Sequence, residues 1–195
     1  MTGPQLTKGG QRVLAAASDL FYAKGIHAVG VDTIAATAGV TKKTLYDRFG
    51  SKDELVAAYL RARDERWRRW LTDATGHGRP AERLLASFDA LDQWLREESP
   101  RGCSFLNALA ELPDPAHPAR AVITGQKRWL RDHLQQLAAP AFPQPRRLAE
   151  RLLLLHEGAV AGFQTGAVSE PVQQAKAVAA ELIQREAEQV AAAET

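Results

Sequence analysis

Lys42, Lys43, Thr44, Tyr46 and Arg48 fall within seven consecutive residues, and Lys52 follows four positions later. Two ammonium groups, a guanidinium, a hydroxyl and a phenol so close together suit one kind of chemistry. Cations and hydroxyls hold phosphate oxygens, and the same groups reach the edges of bases in a groove. In a helix, Leu45 and Phe49 stand at i and i+4 and turn inward together. Lys42, Lys43, Thr44 and Tyr46 are then left on the outer side, near the helix N-terminus. An ordinary polar-faced helical hairpin is the plainer alternative, and the two lysines, threonine and tyrosine weigh against it.

A helix carrying such a face must be held at a steep angle to its neighbour, and the preceding residues meet that need. Ile34-Ala35-Ala36-Thr37-Ala38-Gly39-Val40-Thr41 has small residues, Ala35 and Ala38, that permit close helix approach. Gly39 can adopt the left-handed geometry of a tight turn. Val40 plugs the seam, and the Thr41 hydroxyl caps the second helix. Ser51-Lys52-Asp53-Glu54 reads as a capping box, with the Ser51 hydroxyl on the Glu54 amide and the Glu54 carboxylate on the Ser51 amide. Lys52 therefore sits at a capped helix N-terminus, a place suited to phosphate.

The charge distribution agrees. Residues 1–70 carry 12 Lys/Arg against 7 Asp/Glu, a net of +5, whereas residues 71–195 carry 13 against 16, a net of −3. A basic N-terminal third is what a polyanion-binding module needs. The single cysteine, Cys103, allows no disulfide within the chain. Met1–Gln11 lacks the pattern of a secretion signal, and no charge-free apolar stretch is long enough for a membrane span. These features predict a cytoplasmic protein. No phosphate-binding loop, nucleophile elbow, paired-carboxylate motif or metal-ligand cluster is present, which argues against an enzyme and against a cofactor.

The rest reads as helix from end to end. Val13, Leu14, Ala17, Leu20 and Phe21 recur at helical spacing up to Gly25, and short helices over Val31–Ala38 and Lys42–Phe49 follow. A long helix runs from Ser51 to about Thr72. Pro80, Pro100, Pro113, Pro118, Pro140 and Pro145 then punctuate further helices, with periodic segments near 84–95, 103–112, 122–137, 146–166 and 171–192. The expected class is all-α, with about nine helices. The expected domains are residues 1–52 and 53–195, joined by the helix over about 51–72.

The stretch Arg12–Tyr59 resembles the DNA-binding domain of TetR-type transcriptional regulators. The likeness is carried by Ala17-Ser18-Asp19-Leu20-Phe21, Gly25, Ile34-Ala35, Ala38-Gly39-Val40-Thr41, Thr44-Leu45-Tyr46, Phe49 and Ser51-Lys52. The resemblance implies an N-terminal helix-turn-helix and a C-terminal helical domain for effector binding and dimerisation. It implies that Lys42, Lys43 and Thr44 face the bases of double-stranded DNA, with Tyr46 and Arg48 flanking them and Lys52 on a phosphate. Thr33 and Thr41 complete the implied set. Val31 departs from the Ser or Thr cap common in the family, so Asp32 is expected to serve the positive end of that helix. Asp47 either accepts from a cytosine amino group or points away from the phosphates.

For the remaining two-thirds the expectations rest on aromatic and small residues. Trp67, Trp70, Phe88, Trp94, Phe105, Trp129 and Phe163 either line an apolar effector cavity or form core, and the resemblance favours a pocket among the middle helices. His133, His156 and Glu157 are the polar candidates there, with hydrogen-bonded or solvated residues outside any site as the favoured alternative. The segment Gly102-Cys103-Ser104-Phe105-Leu106-Asn107 resembles an element of one family branch placed near the pocket. Cys103 is a redox sensor or a small core residue. Ala159 and Gly162, with Val172, Ala175, Val178, Ala179, Leu182 and Ile183, either build a homodimer interface or pack within the chain. The expected function is a repressor released from a palindromic operator by a small, largely apolar effector. The alternatives are constitutive DNA binding and, less favoured, a small all-α enzyme.

Overall fold

A computed structural model describes residues 6–193, so the first five residues of the segment read for a secretion signal lie outside it. The described residues form nine helices and no strand: α1 (Lys8–Lys24), α2 (Val31–Ala38), α3 (Lys42–Phe49), α4 (Lys52–Ala74), α5 (Pro80–Glu97), α6 (Ser104–Glu111), α7 (Pro118–Ala138), α8 (Pro145–Thr165) and α9 (Pro171–Ala193). None is long and apolar enough to cross a membrane.

Capping explains most boundaries. Thr7 opens α1 by accepting from the Gly10 amide, six residues before the periodic apolar pattern begins. Gly25, at φ 90°, closes it by donating to the Phe21 carbonyl at 3.0 Å. The α7 helix starts at Pro118 rather than near Val122, because proline fits a first turn whose amides lack helical partners. Its Ala119 amide donates to His117 Nδ1 at 3.1 Å. At α5 the Glu82 carboxylate accepts from the Arg79 amide at 2.9 Å, one residue ahead of Pro80.

The chain divides into two compact units: Met1–Glu65 with Ser104–Thr124, and Arg66–Cys103 with Gly125–Thr195. This differs from the boundary expected at residue 52, since α6 and the start of α7 belong with the N-terminal helices. The first unit packs Val13, Ala17, Ile34, Leu45, Leu55 and Val56 in its interior. The Phe21 and Tyr59 rings meet there at 5.9 Å. The second unit is centred on Leu84, Phe88, Leu95, Leu134, Leu148 and Leu152. Each such side chain, fully buried, contributes roughly 1.5–3 kcal/mol of transfer free energy. Both α4 and α7 contribute residues to each unit.

Candidate nucleic-acid interface

The turn between α2 and α3 takes the form that Gly39 permits. Gly39 adopts φ 62°, ψ 41°, and donates to the Ala36 carbonyl at 3.1 Å. Val40 donates to the Ala35 carbonyl at 3.0 Å, so the turn satisfies two carbonyls in the last turn of α2. Thr41 then starts α3 by accepting from the Thr44 amide at 3.1 Å, and its hydroxyl meets that of Thr44 at 3.0 Å. The cap occupies both hydroxyls, so in this state Thr41 serves the helix it opens.

Leu45 is the single fully buried residue of α3, and it fixes which face turns out. Lys42, Lys43, Tyr46 and Arg48 are exposed, Thr44 half so. Tyr46 leaves 44% of its surface in solvent, and only three other large hydrophobic residues are so exposed among those described. Thr33 is exposed on α2.

Each lysine of this face already holds a carboxylate. Lys42 Nζ pairs with Asp32 Oδ1 at 2.7 Å, and that bond raises the lysine above its ordinary pKa. Asp32 lies in the first turn of α2, whose N-terminal Gly30 supplies no side-chain cap. It thus stands at the positive helix end as expected, while also bridging α2 to α3. Lys43 Nζ pairs with Asp47 Oδ2 at 2.9 Å. Both pairs are exposed, add little stability, and leave the two lysines ready to exchange carboxylate for phosphate.

One expectation at the start of α4 needs correction. Only half of the capping box forms: the Glu54 amide donates to Ser51 Oγ at 3.0 Å, but the Ser51 amide donates to Phe49 O at 2.8 Å. The Glu54 carboxylate instead lies 3.6 Å from Arg61. Lys52, expected to hold phosphate, donates Nζ to the Ile26 carbonyl at 2.7 Å and lies 6.0 Å from the Phe21 ring centre. That carbonyl stands just past the end of α1 and also accepts from the Val29 amide at 3.4 Å. Lys52 therefore tethers the α1–α2 loop to α4.

The same loop is gripped by a residue that sequence reasoning missed. Glu111, at the end of α6, accepts from the Ile26 amide at 3.0 Å, the His27 amide at 2.8 Å and His27 Nδ1 at 3.3 Å. Burial alone pushes its carboxyl up, but the bonds from His27 and Ile26 outweigh that and hold it below the ordinary value. No local pattern marks Glu111, because its partners lie more than 80 positions away in sequence.

With this geometry in place, likeness to known proteins is decisive. The family model for bacterial regulatory proteins of the tetR family matches residues 13–59, which span the whole helix-turn-helix. Over 57 residues the chain is 49% identical to the HTH-type transcriptional activator FasR of Mycolicibacterium smegmatis, a match that covers 29% of this chain and only 26% of FasR. Among solved structures, the TetR-family regulator SCO4454 of Streptomyces coelicolor is 32% identical, with TM-score 0.80 over 94% of this chain and 96% of that one. The chain belongs to the TetR family of transcriptional regulators. Another TetR-type structure, from Streptomyces avermitilis, is 30% identical with TM-score 0.72, over 89% of this chain and 98% of that one.

As a TetR-family regulator the protein binds DNA, and the family is one of regulators rather than enzymes. Its second unit places most of the expected effector residues in one core. Trp67 and Trp94 meet edge-on at 5.3 Å, and Trp70 lies 5.6 Å from Trp94 while donating Nε1 to the Ala90 carbonyl at 3.1 Å. Phe163 packs at the margin of that core. Trp129 stacks on His133 at 5.0 Å and lies 4.8 Å from the Arg68 guanidinium. His133 Nε2 meets Thr75 Oγ1 at 2.9 Å, and burial followed by the charge of Arg83 depresses its pKa. Phe105 departs from this group, because it is buried in the first unit. Gly102, at φ 76°, sits where an added Cβ would come within 2.7 Å of Gln164 Cδ, which accounts for glycine beside Cys103.

The small residues expected at a dimer face mostly pack inside the chain. Ala159, Gly162, Val172, Ala175, Ala179 and Ile183 are all buried, because α9 lies against both α5 and α8. A Cβ on Gly162 would stand 2.9 Å from Pro171 Cβ, so its small size serves the α8–α9 crossing. Val178, half exposed, and Leu182 remain outward, and Leu154 and Leu155 of α8 join them. These four, with Arg151, Glu181 and Arg185, line a shallow surface depression.

Proposed function

We propose that this protein is a dimeric, ligand-responsive repressor whose two copies of α3 read a palindromic operator. The observation that carries the DNA-reading part is the outward face of α3. Tyr46 is exposed, as are Lys42, Lys43 and Arg48, on a helix pinned from below by Leu45. N-terminal side chains of such a helix reach base edges, and a two-fold protein matches a two-fold site.

The face supporting self-association is the outward strip of α8 and α9, where Leu154 exposes 72% and Val178 50% of their surfaces. A second copy of the same strip would cover it isologously, with Arg151, Glu181 and Arg185 at its rim. The apolar, aromatic interior of the second unit supports a small effector with a largely apolar body. Since α4 and α7 each belong to both units, a ligand that repacks their second-unit portions biases the population of DNA-competent states.

Selection of bound duplexes from random DNA tests the reading. A site with two-fold symmetry is expected, and enrichment of no sequence would overturn it. Leu154→Glu should convert dimer to monomer in light scattering. A reporter placed behind the selected site then gives the sign of regulation, with silencing expected.

A further inference from the structure

A polar cluster in the second unit runs from the surface into the apolar core, with Lys127 and Glu157 24% and 26% exposed and His156 buried. Lys127 Nζ, on α7, donates to Glu157 Oε1 on α8 at 2.7 Å and lies 3.6 Å from Cys103 Sγ. Burial opposes the charge on Lys127, and the neighbouring Cys103 and Glu157 more than offset it, so the ammonium persists. His156 adjoins Glu157 in α8, is 1% exposed, and has its ring 4.2 Å from that of Phe88.

Hydrogen-bond directions fix the state of this imidazole. Ser87 Oγ lies 2.6 Å from the Leu84 carbonyl, which can only accept, so the hydroxyl proton points there. Ser87 Oγ must then accept at its 3.0 Å contact with His156 Nε2, and Nε2 carries the ring proton. Burial, and next the charge of Lys127, depress the imidazole to about 3 and keep it neutral. His156 Nδ1 is left as a bare lone pair, fully buried, with no donor. Buried acceptors are ordinarily satisfied, and leaving one open costs free energy that an incoming donor recovers.

The cluster also dictates the charge of what would supply that donor. Lys127 and Glu157 cancel one another, so a ligand carboxylate would compete with Glu157 and lie against it. A hydroxyl raises no such conflict. It can accept from an ammonium proton of Lys127 and donate to a ring nitrogen. Resting on the effector reading above, we propose that Lys127, His156 and Glu157 form the polar end of the effector site, which takes a neutral hydroxyl-bearing aromatic compound whose O–H donates to His156 Nδ1 beside Phe88.

The test uses the full-length protein and three probes of similar size: phenol, toluene and benzoate. Calorimetry should show phenol binding at least about 10-fold more tightly than toluene or benzoate, about 1.4 kcal/mol in affinity. In protein labelled with ¹⁵N at histidine, the His156 Nδ1 resonance should move on adding phenol and stay still on adding toluene. His156→Gln, whose amide can still reach Ser87, should erase the preference. Toluene or benzoate binding as tightly as phenol, an unmoved Nδ1 resonance, or no phenol binding at millimolar concentration would each overturn the assignment. Operator release by a different compound after phenol has failed leaves the ligand-responsive reading standing. Phenol binding without operator release keeps the site and removes its effector role.

Discussion

The first unit keeps its polar chemistry outside and the second keeps it within. On α3 the lysines, Tyr46 and Arg48 face solvent, each cation free to trade partners, and a single buried leucine sets their orientation. In the second unit Ser87 and His156 are buried, Lys127 and Glu157 are about three-quarters buried, and their partners are fixed across α5, α7 and α8. An outward face suits a large polyanion whose charge draws it in from solution, whereas a largely buried, charge-balanced cluster suits a small neutral guest. The energetics differ accordingly. Surface pairs contribute little to folding, while every buried polar group carries a desolvation cost that its partners must offset.

Core truncation should show the largest effects. Phe88→Ala should cost about 3–5 kcal/mol and Leu45→Ala about 2–5, read as lowered melting temperatures. Near-identical behaviour in thermal melts and DNA binding would blur the contrast, because Leu45→Ala is expected to abolish DNA binding and Phe88→Ala to spare more of it.

Acid should separate the units. His156 titrates at about 3 in the fold against an ordinary 6.5, so the unfolded chain takes up its proton first. Stability is therefore full above about pH 6.5 and falls, by roughly 1.4 kcal/mol per pH unit at most, until the folded value is reached. Glu111 is depressed below its ordinary 4.5, so its contribution is present above that pH and is lost only as pH falls through the folded value. Between pH 6 and 5 hydrogen exchange should thus rise in α5 and α8 before the α1–α2 loop loosens. Simultaneous loosening would contradict this order.

Glu111→Gln should cost about 1–2 kcal/mol, since an uncharged acceptor holds the two loop amides less strongly. Exchange of the Ile26 and His27 amides should rise. The smallest effect is expected from Asp47→Asn. Freed of its partner, Lys43 should tighten DNA binding a few-fold at low salt and hardly at all at high salt.

The two regions also differ in how much of each could be read from sequence. The helix-turn-helix is a run of neighbours: Gly39 turns, Thr41 caps, Leu45 anchors, and all of these lie within a dozen residues of Tyr46. The breaks at proline and glycine placed the later helices too, although α7 began at Pro118, four residues ahead of its apolar pattern. The tether made by Lys52 was not legible, because its partner Ile26 lies 26 positions away. The alanines and glycine of α8 and α9 were ambiguous for a related reason. Small residues permit close helix crossing without saying whether the partner helix belongs to the same chain. Glu111 and Lys127 carried no signal, since an isolated charge reveals its role only when folding brings distant partners together.

The division of labour between the two units is tested most directly by operator affinity in matched variants. On the duplex recovered by selection, fluorescence anisotropy should show Tyr46→Ala weakening binding by about 10- to 100-fold, in line with about 1–3 kcal/mol for a groove contact. His156→Gln, which alters only the interior of the second unit, should bind that duplex as tightly as the unaltered protein when no ligand is added. Unchanged affinity in Tyr46→Ala, or an equal loss in both variants, would contradict the account.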